Sequence, residues 1–191
     1  MSERTRETIR LLTTGAALAA AVLVAAGTAL AQKQGGTLKI YVMDNPPSAS
    51  IHEEATISTV MPFMGLYNNL VYFDPNKPKN ALDSIIPELA KSWAWDASKT
   101  KLTFKLEEAV KWHDGKPFTA KDVKCTFDLV GGITTAEDFR KNPRKIWYHN
   151  LKEITVNGDY EVSFTLKEPQ PSFVALLASG YSPVYSCHVP Q

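Results

Sequence analysis

The chain has 191 residues, 44% of them hydrophobic, with 21 basic and 20 acidic side chains and a formal net charge of +1. Residues 1–31 hold three of the basic groups (Arg4, Arg6, Arg10) and two of the acidic ones (Glu3, Glu7), so the remainder is neutral. That balance leaves no electrostatic footprint for nucleic acid or an anionic membrane, and the length after residue 31 suits one domain of ordinary size.

The N-terminus reads as an export signal. Arginines precede the apolar stretch LLTTGAALAAAVLVAAGTAL, and Ala29-Leu30-Ala31 supplies a small-x-small site, so cleavage is expected after Ala31. The alternative is an uncleaved anchor, because Leu11 to Ala31 is 21 residues and about 20 span a bilayer. No adjacent-arginine pair and no cysteine for lipidation accompany the signal, and a soluble exported protein is the expected form. The two cysteines, Cys125 and Cys187, both follow the signal. In an oxidising compartment they are expected to pair, closing a long loop worth roughly 4 kcal/mol; two buried free thiols are the alternative.

GGTLKIYVM predicts a first strand, with Leu38, Ile40 and Val42 alternating against polar neighbours. DNPPSAS breaks it. HEEATISTVMPFMGLYNNL carries Ile57, Val60, Met64 and Tyr67 at helical spacing, with Pro62 marking a kink, and Asp74-Pro75 and KPKN mark a loop. In KLTFKLE, Leu102, Phe104 and Leu106 face one way, a half-buried strand. KEITV and DYEVSFTL flank Asn157-Gly158, which predicts a two-residue hairpin turn. PSFVALLASG predicts a short helix stopped at Gly180. Strands and helices mix without regular βαβ alternation, which implies α+β or a loosely wound α/β fold.

VKWHDGKPFTAKDV groups residues that a catalytic site uses, yet each has a structural task. Val110, Lys111 and Trp112 continue a strand pattern, and His113, Asp114, Gly115, Lys116 and Pro117 make a turn. Thr119 and Asp122 form a capping box that opens the helix AKDVKCTFDLV, ended by Gly131-Gly132. Adjacency does not make His113 and Asp114 a dyad, because catalytic partners converge in space. His52-Glu53-Glu54 reads as a solvated helix start, and Cys187-His188 lacks partners at metal-ligand spacing. No nucleophile elbow, phosphate loop or dinucleotide fingerprint occurs. No cofactor and no metal is expected.

The run IPELAKSWAWDASKTKLTFKLEEAVKWHDGKPFTAKDV resembles the signature region of the extracellular solute-binding proteins of family 5, the peptide receptors of bacterial ABC importers. GGTLKI after the signal, the helix leading to NNLVYFDP, the pair EITVNGDYEVSFTLKEPQPSF and SPVYSCHV follow in the same order. Glu107 and Ala109 stand where the family favours arginine and glycine, a modest local cost.

The resemblance implies part of a type II-like periplasmic binding protein: the start of lobe one (32–58), an inserted subdomain (59–149) and a continuation of lobe one (150–191), without hinge or second lobe. It implies a monomeric periplasmic receptor that captures a small solute, with peptide the class default, and delivers it to permease subunits without chemistry. Relatives of this kind also carry nickel chelates and sugars. The cleft-facing candidates are Tyr41, Met43, Asp44 and Asn45, where Asp44 would meet a ligand amine; Asp44-Asn45-Pro46 as a plain turn is the alternative. The competing functions are an exported hydrolase using His113 or His188, and a lobe that binds nothing by itself.

Overall fold

The computed structural model describes residues 35–42, 44–133 and 142–188. The expected signal segment and Met43 lie outside them. Two compact units divide at Tyr41/Val42. Residues 35–41 of the first unit are outside regular structure. The strand expected there does not form among the described residues, because alternation makes a strand only when a ladder partner takes up its backbone groups.

In the second unit the elements are α1 (Ile57–Phe63), β1 (Val71–Phe73), β2 (Ile85–Pro87), β3 (Ala90–Trp95), β4 (Lys101–Leu106), α2 (Ala120–Gly131), β5 (Leu151–Val156), β6 (Glu161–Leu166) and α3 (Phe173–Leu177). β1 and β2 make a small antiparallel pair, and the main sheet is antiparallel in the order β3-β4-β6-β5. Two local hairpins are joined through the β4–β6 pairing, Leu102 opposite Phe164 and Phe104 opposite Val162. Register shifts by one residue at Lys91 in β3 and again at Lys152 in β5.

The alternation in KLTFKLE forms as expected: Leu102, Phe104 and Leu106 are fully buried while Lys101 and Lys105 are exposed. Val162, Phe164 and Leu166 of β6 join them, and α2 covers this face with Val123, Phe127 and Val130. Phe164 sits among rings, 5.2 Å from Phe127, 5.7 Å from Phe104 and 5.9 Å from Phe173 between centroids. Each buried side chain of this size contributes about 1.5–3 kcal/mol relative to exposure.

Three local expectations are revised by the structure. The helical pattern over residues 52–70 shortens to α1, and a 3-10 turn over Met64–Leu66 follows it. Pro62 lies inside α1 and supplies no N–H to its ladder. The Asn157-Gly158 turn is wider than two residues, since Asn157 still pairs with Glu161 through a 2.9 Å N–H···O bond. The carbonyls of Asp159 and Tyr160 are engaged by the N–H groups of Ala120 and Leu106, each at 2.8 Å, and this fixes the broader loop. α3 ends before Gly180, because the hydroxyls of Ser179 and Ser182 both donate to the Leu176 carbonyl at 2.7 Å.

Candidate functional site

The segment Val110–Phe118 closes as a small hairpin. Trp112 N–H donates to the Lys116 carbonyl at 2.8 Å, Gly115 N–H to the Trp112 carbonyl at 2.9 Å and Phe118 N–H to the Val110 carbonyl at 3.0 Å. Gly115 has φ +85°, a conformation other residues resist, which explains a glycine there. The Asp114 carboxylate accepts from the Lys116 N–H at 3.1 Å and so braces the turn. Pro117 pairs with Lys111 in a single bridge. Trp112 places its ring edge to face with Phe118, 6.0 Å away.

α2 then starts with the Asp122 half of the capping box: its carboxylate reaches back to Thr119, whose hydroxyl also lies 3.3 Å from Asp122 Oδ2. The Thr119 N–H reaches Asp122 Oδ2 at 2.8 Å. The other oxygen of Asp122 accepts from the Cys187 N–H at 2.9 Å, so one buried carboxylate serves the helix start and the tail. Gly132 closes α2 in the left-handed conformation at φ +62°.

The tail is held at several points. Thr126 Oγ1 accepts from the Tyr185 N–H (2.9 Å), and its single proton lies between the carbonyls of Asp122 (2.9 Å) and Tyr185 (3.1 Å). A disulfide joins Cys125 and Cys187, whose Cα atoms are 5.7 Å apart. His188 Nε2 lies 2.7 Å from Asp114 Oδ2. The Lys116 N–H first, and then His188, hold the Asp114 carboxyl below its ordinary range. The partner of Asp114 is therefore His188 and not the neighbouring His113, which is exposed. This pair is partly exposed, and the adjacent sulfur is committed to the disulfide.

His52-Glu53-Glu54 is a buried turn and not a solvated helix start. His52 Nε2 donates to the Pro183 carbonyl at 2.8 Å, and its ring lies 4.5 Å from Tyr185. Arg144 is almost wholly buried; its Nη2 donates to the Glu54 carbonyl, and its guanidinium lies 4.8 Å from the Tyr181 ring and 5.8 Å from Trp147. Sequence periodicity missed this cluster because its partners come from residues 144 and 181–185. The available signal was the pairing of the two cysteines, which brings the tail to α2.

Burial pushes the His52 pKa down from 6.5 to about 4; the Pro183 hydrogen bond opposes this and the Arg144 charge adds to it. Between these two values the unfolded chain binds more protons than the folded one. Stability should therefore fall as pH drops from 6.5 towards 4 and level off below, by roughly 3 kcal/mol in all. In urea unfolding across that window, His52→Gln is expected to flatten the slope. An unchanged slope would contradict a neutral buried imidazole.

Of the candidate cleft residues, Tyr41 is exposed, and Asp44 and Asn45 form a bend closed by the Asn45 N–H to Asp44 Oδ1 at 2.8 Å. Among the described residues no cluster of three or more His, Cys, Asp or Glu could hold a metal ion.

Comparison with known proteins extends these features. Residues 84–187 match the family model described as bacterial extracellular solute-binding proteins, family 5 Middle. A Brucella ovis protein named as an ABC transporter peptide-binding protein is 36% identical over 109 residues, covering 56% of this chain and 20% of its own. The oligopeptide-binding protein AppA of Bacillus subtilis is 33% identical over 143 residues, covering 74% of this chain and 24% of its own. The chain thus spans a fifth to a quarter of the length of these relatives. The crystal structure of a dipeptide-binding protein from Pseudoalteromonas sp. SM9913 in complex with Met-Leu superposes with a TM-score of 0.64 at 25% identity, over 75% of this chain and 30% of that one. The mixed α/β fold is that of part of a type II periplasmic binding protein.

Proposed function

The chain belongs to the bacterial extracellular solute-binding proteins of family 5, and from that premise we propose that it is part of the substrate-binding component of an ABC importer for peptides. Members of this family are solute-binding proteins and not enzymes. The observation that carries the peptide reading is the superposition on a receptor holding Met-Leu. The relatives named for peptides and oligopeptides support it.

In this reading the signal segment 1–31 is removed on export to the periplasm. Residues 32–58 open the first lobe, 59–149 form an inserted subdomain and 150–191 return to the lobe. A monomer then delivers its solute to the permease subunits. Tyr41, Met43, Asp44 and Asn45 would face the solute, and Asp44 would meet the peptide amine; the chain's part in capture is positioning and burial.

Native mass spectrometry of the protein released from the periplasm tests this. The expected species begins at Gln32 and carries bound peptide mass that is lost intact on unfolding. A bound chelate or sugar would overturn the peptide assignment, and cleavage of added peptides would favour a hydrolase.

A further inference from the structure

We propose that Asn157 is a self-modification site: in the folded protein the Gly158 backbone nitrogen displaces its side-chain amide, leaving a carboxylate that opposes Glu161. The proposal concerns the 157–160 loop and does not depend on the peptide reading above.

The reacting atoms are accessible. Residues 157–159 are exposed. Asn157-Gly158 is the one Asn-Gly step in the chain, so no other asparagine is followed by a nitrogen without a side chain beside it. Gly158 has φ +114°, and the position a Cβ would take there has nothing within 4 Å. Among the described residues no hydrogen bond engages the Gly158 N–H. By contrast, Asn45 and Asn142 precede prolines, which have no N–H to lose, and Asn69 is buried with its amide donating to the Leu177 and Ser179 carbonyls.

The Gly158 nitrogen gives its proton to solvent base and bonds to Asn157 Cγ. The Cγ–Nδ2 bond breaks, and ammonia leaves with a proton from water. Water then opens the five-membered imide. Cleavage at Cγ gives aspartate; cleavage at the backbone carbonyl carbon routes the main chain through Cβ and Cγ and gives isoaspartate. No electrons are transferred, and water is the only co-reactant.

The consequence follows from what the amide does beforehand. Its Nδ2 donates to Ser163 Oγ at 2.9 Å and to Glu161 Oε1 at 3.3 Å. A carboxylate in its place only accepts. Ser163 has a hydroxyl proton to turn towards it, but the Glu161 carboxylate has none, so two anions meet at the end of the β5–β6 hairpin. Isoaspartate also inserts a main-chain atom between β5 and the carbonyls of Asp159 and Tyr160, which the Ala120 and Leu106 N–H groups hold at 2.8 Å. The modified protein is the less stable form.

Incubation of the intact protein in native buffer at mildly alkaline pH, followed by peptide mapping with mass spectrometry, tests the site. The peptide holding Asn157 is expected to gain the mass of an NH2-to-OH exchange before any other asparagine peptide, and faster as pH rises. Asn157→Gln, which would need a larger ring to close, should abolish that gain. Modification only in urea, or first at another asparagine, overturns the site. Asn157→Asp should lower the urea midpoint, and Glu161→Gln added to it should restore most of the loss. An unchanged midpoint, or no recovery with Glu161→Gln, overturns the opposition of the two carboxylates.

Discussion

Phe164→Ala is expected to cost about 3–5 kcal/mol, enough to consume a large share of the stability of a domain this size. The ring is fully buried at the centre of β6. Its neighbours belong to three different elements: Phe104 on β4, Phe127 on α2 and Phe173 on α3. Truncation therefore opens a void that no single element can close by moving. Phe164→Leu retains most of the volume and should cost less than half as much. Urea unfolding followed by circular dichroism gives both numbers. An alanine variant with a wild-type midpoint would mean that these rings do not share one core.

Removing the disulfide is the second large effect. The bridge spans a sequence separation of 62 residues, for which the chain-entropy argument gives about 4 kcal/mol. Cys125→Ala with Cys187→Ala should lower the urea midpoint by the equivalent of that amount, and reductant should do the same to the wild type. The tail also keeps its hydrogen bonds to Thr126 and Asp122, which do not depend on sulfur. The double variant is therefore expected to remain folded with residues 184–187 in place under mild conditions, and to differ mainly in denaturant. Insensitivity of the wild type to reductant would contradict a bridge that stabilises by loop closure.

Much of the scaffold was legible because its signals are local. Alternation in KLTFKLE needs only a period of two, and the start of α2 needs only Thr119 and Asp122 three residues apart. Gly131-Gly132 marks the other end of that helix at a backbone angle that glycine adopts without strain. Family resemblance rested on the same stretches. What escaped was set by distant partners. The width of the 157–160 loop depends on Ala120 and Leu106. The burial of His52 depends on Pro183 and Tyr185. The Asp114–His188 contact joins residues separated by 74 positions, and no spacing rule reaches across such a gap. β3 was also missed as a strand: AKSWAW has a weak apolar period, and its pairing with β4 decides it.

The one-residue register shifts in β3 and β5 have a consequence for encounters between copies. Among the described residues these two strands are the outer members of the sheet, and an outer strand's N–H and C=O groups invite a further strand to add, apart from the Ala90 N–H that the Leu70 carbonyl accepts. In both, the extra residue at the shift is a lysine, Lys91 or Lys152, and both are exposed. An incoming strand meets a kinked ladder and a cation at the same place. It would have to skip a residue and desolvate a charge to continue. Each open border of the sheet thus carries its own deterrent to fibrillar growth, built from one inserted residue.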